Sequence, residues 1–213
     1  MFKSVVLDFG HGGLDKDGNY TTAPNKMHWH SKKEIAYEGV FNRQIGGMIH
    51  AYLRTKEPDV KVVTTVGADD PRDLSLAYRV GVANKLKADE TIFVSVHSNA
   101  SKKHNARGFE IYTTTGETRS DSLATSIGNS VKKLYTELKL KLRFEFEDGD
   151  LDKEGDFYVL RKTKCPAVLL ECLFFDQWDD YSLLKDAEFQ KNMAWKVYKG
   201  IIAFIDMRKT VHQ

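Results

Sequence analysis

The chain has few cysteines and prolines, no long apolar run and no excess of charge of one sign. Two cysteines in 213 residues cannot build a disulfide scaffold. Cys165 and Cys172 lie about 23 Å apart along one predicted strand, which is too far for a bridge. The longest apolar run, 167–175, is shorter than the roughly 18 residues of a membrane span and contains Glu171. Thirty-two Lys and Arg against 30 Asp and Glu argue against a dedicated nucleic-acid binder.

The beginning of the chain also lacks an export signal, because Asp8 appears before an apolar signal core could form. We therefore expect synthesis in the cytoplasm without a signal peptide in this chain. No repeat, low-complexity tract or flexible linker divides the sequence. Residues 1–213 are accordingly predicted to form a single domain.

Apolar periodicity alternates between strand and helix along the chain, which predicts an α/β fold. We expect one mostly parallel or mixed twisted sheet with helices on both faces, and a single long loop over 14–33. The predicted strands are 4–8, 60–66, 91–97, 108–113 and 167–173, and the predicted helices are 34–54, 72–87, 123–138 and 189–205.

Side chains that can bind a metal or transfer a proton lie at or near the ends of three predicted strands. His11 follows the first strand within Gly-His-Gly-Gly, His97 ends the third, and Glu171 lies in the late strand. Ligands of open α/β sheets bind at the carboxyl ends of strands. Two histidines and one further carboxylate there would make an open zinc site, with a position left for water or substrate.

The third ligand is open on the pattern alone. Glu34 and Glu38 in the first predicted helix are four residues apart and share a face. Each is also compatible with a solvated helix charge. Periodicity does not choose between them.

Glu171 lies in an apolar strand, where an unpaired carboxylate costs several kcal/mol. One interpretation is a buried ion pair with Arg161 or Arg79. The other is a general base and acid whose pKa suits proton transfer.

Ordered motifs extend over most of the chain. They are Val-Val-Leu-Asp-Phe-Gly-His-Gly-Gly at 5–13, Glu-x-x-x-Asn at 38–42, Leu-x-x-Arg-x-x-x-Ala-Asn at 76–84, Ser-Val-His-Ser-Asn-Ala at 95–100 and Pro-Ala-Val-Leu-Leu-Glu at 166–171. In content and order they resemble the catalytic domain of the zinc-dependent N-acetylmuramoyl-L-alanine amidases, cell-wall hydrolases of bacteria and their phages. The match at Asn42 favours Glu38 over Glu34.

The resemblance implies hydrolysis of the amide between N-acetylmuramic acid and L-alanine in peptidoglycan, with one Zn²⁺ per chain. It also implies a role for each matching residue: zinc ligands His11, Glu38 and His97, catalytic carboxylate Glu171, and substrate-binding residues Asn99 and Arg79.

The implied partner is bacterial peptidoglycan, both glycan strand and stem peptide, with no nucleic acid or membrane partner. A monomer acting at the cell wall or periplasm is expected, without a separate wall-binding domain, as in a phage endolysin domain. Two alternatives stay open: a zinc peptidase or amidohydrolase on a related fold, and a non-catalytic peptidoglycan-binding module. A module of that kind would be expected to have lost Glu171 or a ligand.

Other histidines fall outside these motifs. His28, Trp29 and His30 in the long loop are compatible with a sugar- or peptide-binding wall, or with a solvated loop anchored by its Trp. His104 belongs to a small basic cluster that is interpreted as a solvated turn.

Overall fold

The computed structural model of the protein describes residues 2–22, 26–144 and 151–210. Strands and helices alternate along most of this length, as the apolar periodicity predicts. The strands are β1 (Ser4–Phe9), β2 (Met27–Trp29), β3 (Ile35–Tyr37), β4 (Lys61–Thr64), β5 (Thr91–Asn99), β6 (Glu110–Thr113), β7 (Lys153–Glu154) and β8 (Ala167–Phe174). The helices are α1 (Glu38–Lys56), α2 (Leu76–Asn84), α3 (Arg119–Glu137), α4 (Tyr158–Lys162), α5 (Trp178–Lys185) and α6 (Ala187–Thr210).

Six strands form one sheet in the order β4-β1-β5-β8-β6-β7. The pairs β1–β4, β1–β5 and β5–β8 are parallel, and β6 runs antiparallel to β8. The sheet is therefore mixed and mostly parallel, which confirms the predicted fold class. No helix in the described ranges is both long and apolar enough to cross a bilayer.

Successive residues of the central strands point to opposite faces of the sheet. Val5 and Leu7 belong to the larger apolar core, which α1, α3 and α6 cover, whereas Val6 belongs to a smaller one under α2 and α4. Asp8, two residues after Val6, points to the same face of the sheet as Val6. Helices thus lie on both faces, and the α2–α4 face receives the polar side chains at the carboxyl ends of the strands.

Two expectations about residues 14–54 are wrong. The segment 14–33 is not one loop, because β2 lies in it and pairs antiparallel with β3. The first helix begins at Glu38 rather than at residue 34, since Ile35–Tyr37 is the second strand of that hairpin. Tyr37 is the N-cap and keeps an extended backbone, with φ −117° and ψ 108°, so the helix cannot begin before it.

The remaining predicted strands and helices all occur, with ends shifted by a few residues. Besides β2 and β3, the sequence did not predict three short elements, which are β7, α4 and α5. Cys165 and Cys172 are both buried free thiols, in agreement with the expectation of no bridge.

Candidate metal centre and active site

The carboxyl ends of three adjacent parallel strands bring the predicted residues together. His97 of β5 pairs directly with Glu171 of β8. On the other side of β5, Phe9 of β1 pairs with Val96, and the chain then turns at Gly10 and His11. Parallel pairing alone thus places residues far apart in sequence at one edge of the sheet.

His11, Glu38 and His97 form a group of potential metal ligands. One nitrogen or oxygen atom from each lies within 4.8 Å of the others. Oε1 of Glu38 is 2.9 Å from Nδ1 of His97 and 3.2 Å from Nε2 of His11. Within the described chain, the buried His11 Nε2 has no partner other than this Glu38 oxygen, so it is placed to bind the same ion. Two imidazoles and one carboxylate match the donor set of an open zinc site.

Glu34 lies elsewhere. Its Oε2 accepts hydrogen bonds from the Tyr181 hydroxyl at 2.6 Å and from Nζ of Lys185 at 2.8 Å. The structure therefore places Glu38, and not Glu34, beside the two histidines. The hairpin explains this arrangement, because its second strand ends where Glu38 begins the helix.

Close backbone approach at two glycines makes the cluster possible. A Cβ at Gly10 would overlap the imidazole ring of His97, and a Cβ at Gly39 would overlap the carbonyl oxygen of Gly12. His11 itself has a positive φ of 63°, which is uncommon for a residue with a side chain. Such a conformation persists only where neighbouring contacts hold it.

The protonation preferences within the group suit metal binding. Burial opposes ionisation of Glu38, but hydrogen bonds from His11 and His97 outweigh it and hold the pKa of Glu38 below its usual value. Burial also lowers the pKa of His97, against the opposing effect of Glu38. An ionised carboxylate beside a neutral imidazole is the state in which both residues bind a metal.

Glu171 is buried, and its Oε2 has no hydrogen-bond partner in the described ranges. Burial raises the pKa of Glu171 well above its usual value, and the nearby charge of Glu38 raises it further. The ion-pair interpretation is wrong, because Arg161 pairs with Asp156 and Arg79 pairs with acidic residues elsewhere. A buried carboxylate with a raised pKa in a cleft has the properties of a proton-transfer group.

Arg79 is only 2% exposed and is saturated by protein acceptors. It forms a buried ion pair with Asp8, at 2.7 Å, and donates to the carbonyl oxygens of Phe9 and His11. Its Nη2 also reaches Asp73 at 3.2 Å. The substrate contact expected of Arg79 stays a prediction, and these contacts favour a role in holding the end of β1 in place.

The sequence reading missed Arg43, which holds the same turn from the other side. Its Nη1 donates to the carbonyl oxygens of His11 at 2.8 Å and Gly12 at 2.9 Å. Its Nε and Nη2 donate to the carbonyl oxygens of Asp70 and Arg72. The guanidinium therefore joins the turn that carries His11 to the segment before α2.

Asn99, the other predicted substrate-binding residue, lies at the end of β5. Its amide nitrogen donates to Oε2 of Glu110 at 2.6 Å, and Oε1 of Glu110 receives Arg143 and Lys153. Glu110 is directly opposite Glu171 in the sheet. Asn99 is thus oriented by a buried carboxylate beside the cleft, and its contact with substrate stays a prediction.

A cleft of about 190 Å³ is lined by His11, His97 and Glu171, among other residues. Two larger surface grooves elsewhere include none of the proposed ligands. Lys26, just before β2, enters the cleft and places its Nζ 3.6 Å from Oε2 of Glu38. Most of the exposed wall of the cleft is apolar, although charged side chains also reach it. The lining residues are Asp8, Gly10, His11, Lys26, Asp73, Leu76, Arg79, His97, Phe157, Tyr158, Val159, Leu169 and Glu171.

Comparison with known proteins identifies relatives of the whole fold. The profile of the N-acetylmuramoyl-L-alanine amidase family matches residues 5–203. The chain is 32% identical over 210 residues to the endolysin of Bacillus phage SPP1, which covers 98% of this chain and 68% of that protein. It is 26% identical over 205 residues to the N-acetylmuramoyl-L-alanine amidase LytC of Bacillus subtilis strain 168. That match covers 95% of this chain but only 35% of LytC, so the chain spans about a third of LytC.

Solved structures agree with the sequence relatives. The catalytic domain of CwlV, an N-acetylmuramoyl-L-alanine amidase from Bacillus (Paenibacillus) polymyxa var. colistinus, superposes with a TM-score of 0.74 at 29% identity. That match covers 96% of this chain and 99% of the domain. An N-acetylmuramoyl-L-alanine amidase from Clostridium difficile 630 gives a TM-score of 0.75 at 26% identity, covering 96% of this chain and 97% of the other.

Proposed function

The chain belongs to the N-acetylmuramoyl-L-alanine amidase family, and from that membership we propose a zinc-dependent hydrolysis of peptidoglycan with Glu171 as the proton-transfer group. The bond cleaved is the amide between N-acetylmuramic acid and L-alanine. The observation that carries the proposal is the position of Glu171, a buried carboxylate with an unpartnered oxygen, paired across the sheet with His97.

His11, Glu38 and His97 would hold the zinc ion. A zinc ion held by these residues would supply Lewis acidity for the amide carbonyl and for a water molecule near neutral pH. The protein contributes the placement of the ligands. Arg43 and Arg79 fix the His11 turn through its carbonyl oxygens, and Glu38 is fixed as the first residue of α1.

Glu171 would accept the proton of the attacking water and then donate it to the leaving nitrogen of L-alanine. Burial and the negative charge of Glu38 make this carboxylate a stronger base than an exposed one, because both raise its pKa. The same raised pKa allows the protonated form to act as an acid near neutral pH. One residue therefore serves both proton transfers.

Digestion of purified peptidoglycan by the zinc-loaded protein, followed by mass spectrometry of the fragments, tests this proposal. Stem peptides with a free L-alanine amino terminus are the expected product. A Glu171→Gln variant keeps the side-chain shape and should retain zinc, but we expect about 10²–10⁴-fold lower turnover. Zinc content and circular dichroism of that variant serve as controls for metal loss and misfolding.

The other outcomes each contradict a defined part of the proposal. Cleavage elsewhere in the stem peptide would indicate a zinc peptidase. Binding of several wall types without cleavage, with zinc present, would indicate a non-catalytic module. Wild-type turnover in Glu171→Gln would remove Glu171 from the mechanism and leave the amidase assignment intact.

A further inference from the structure

His28, which does not belong to the candidate active site, contacts two other histidines. The ring of His28, in β2, is 4.6 Å from that of His30 and 4.6 Å from that of His104, between ring centroids. His104 comes from the loop after β5, so the cluster joins two separate parts of the fold.

A buried carboxylate orients His104. Oδ2 of Asp176 lies 2.8 Å from Nδ1 of His104 and also accepts a hydrogen bond from the backbone nitrogen of Ser101. In the tautomer in which Nδ1 of His104 donates to this carboxylate oxygen, Nε2 keeps a lone pair for a ligand. The Asp176 side chain is 2% exposed, and its Oδ1 has no hydrogen-bond partner in the described part of the chain.

The backbone also presents His104 to solvent. Its φ is 51°, a left-handed conformation that residues with side chains adopt infrequently, and its side chain is 55% exposed. A carboxylate behind a solvent-facing imidazole is the arrangement that orients metal-binding histidines in proteins.

The imidazole of His28 lies beside that of His104. No hydrogen bond to a ring nitrogen of His28 occurs among the described residues, and the residue is half-buried. Burial and the proximity of His30 and His104 lower the pKa of His28, which favours the neutral ring. His30 supports it from the other side, since its own Nε2 donates to the carbonyl oxygen of Phe175 at 2.9 Å.

We propose that His28 and His104, with Asp176 orienting His104, form a second metal site that binds a divalent first-row transition ion such as Zn²⁺. Imidazole is a preferred ligand of zinc, copper and nickel, whereas calcium and magnesium select oxygen. Two protein ligands leave the remaining positions to water. The site shares no residue with the group formed by His11, Glu38 and His97.

An ion at this site would tie the β2–β3 hairpin to the loop after β5. That hairpin ends at Tyr37, immediately before Glu38, and β5 carries His97. Occupancy of the second site would therefore restrain two segments that lead to proposed ligands of the first. The inference does not depend on the proposed reaction, because it rests on residues outside the active cleft.

The experiment is a zinc titration of the full chain, with bound metal counted by mass spectrometry of the dialysed protein and affinities measured by calorimetry. We expect two Zn²⁺ per chain in the wild type, the second bound more weakly. His104→Asn suits the test because Asn tolerates a left-handed backbone and can still donate to Asp176, but it lacks the Nε2 ligand. This variant and His28→Asn should each bind one Zn²⁺.

Further variants separate this site from the catalytic one. His50→Asn, on the far part of α1, should still bind two ions, and Asp176→Asn should weaken the second binding step about tenfold. His97→Asn should lose the other ion and keep this one. A zinc content that His28→Asn and His104→Asn leave at the wild-type value would overturn the proposal, while circular dichroism confirms that each variant is folded.

Discussion

Replacement of Arg43 by methionine tests whether this buried arginine builds the metal centre. Methionine keeps the aliphatic stem but removes the guanidinium that donates to the carbonyl oxygens of His11 and Gly12. His11 requires a positive φ of 63° to present its ring, so the turn depends on contacts that hold it. We expect Arg43→Met to weaken both the fold and zinc binding.

The contacts give the size of the effect on stability. A buried carbonyl left without a donor costs about 1–3 kcal/mol. The His11 carbonyl keeps a long contact from Arg79 at 3.3 Å, whereas the buried Gly12 carbonyl loses its donor outright. The carbonyls of Asp70 and Arg72 also lose the guanidinium, but both of these hydrogen bonds are only partly buried. Methionine also removes the cost of burying a charge. The free energy of unfolding of the metal-free protein should therefore fall by about 2–3 kcal/mol.

Zinc affinity should fall as well, because groups that orient a metal ligand contribute about 10–100-fold to affinity. Since Arg43 acts through the backbone of His11, we expect about a tenfold loss, measured by competition with a chromophoric chelator. Arg43→Lys, which retains a charged donor, should lose less. Arg72→Met is the matched control, since the Arg72 side chain is 71% exposed and, among the described residues, forms an ion pair with Asp70 alone.

Urea unfolding followed by circular dichroism supplies the stability measurement for all three variants. Lower stability with unchanged zinc affinity in Arg43→Met would show that Arg43 supports the fold without positioning the ligand. Equal losses in Arg43→Met and Arg72→Met would refute the reasoning altogether, because Arg72 does not contact the turn.

Three further predictions concern the same region. Lys26→Met should raise zinc affinity by up to about fivefold in the chelator assay, because it removes a cation that lies 3.6 Å from Glu38 and competes with the metal; unchanged or weaker binding would contradict this. Gly10→Ala should abolish stoichiometric zinc binding, since the new Cβ would displace the His97 ring, and full zinc content in the folded variant would show that the ring adapts. Asp8→Asn should lower the free energy of unfolding by about 3–5 kcal/mol at pH 7, because it leaves a buried guanidinium without its closest carboxylate. Burial alone would raise the pKa of Asp8, but the ion pair with Arg79 and the hydrogen bonds from two hydroxyls outweigh burial, so the net shift is downward. The ionised form therefore stabilises the fold above the ordinary pKa of about 3.9. This contribution disappears as the pH falls through the lower folded-state pKa, so the difference between wild type and variant should shrink below about pH 4, and a constant difference would argue against the ion pair.

The residues predicted best are those whose position follows from strand pairing. His11 and His97 each follow or end an apolar run, and the parallel pairing of β5 with β8 places Glu171 directly beside His97. The choice of Glu38 as the third ligand depended on the family resemblance, because Glu34 lies on the same face of the predicted helix. In the structure, the second strand of the hairpin separates Glu34 from α1, which begins at Glu38. The sequence could not predict the hairpin, because strands of three residues are too short to show a periodicity.

Arg43 could not be identified from the sequence because its partners are backbone carbonyl oxygens, which every residue supplies. A weak signal existed in the helix itself. Positions 39, 43 and 46 share one face of α1, and both neighbours of Arg43 on that face are glycines. A long cation between two residues without side chains has room to lie along the helix and reach a neighbouring segment.

The order of strands in the sheet has a consequence for biosynthesis. β8 lies between β5 and β6, although it is made long after both. Until residues 167–174 leave the ribosome, β5 therefore has an unpaired edge next to His97, and an open apolar edge invites pairing with other chains. Ribosome-bound chains that end before residue 167 should need a chaperone to stay soluble, and the last strand of the sheet to be translated both closes that edge and delivers Glu171.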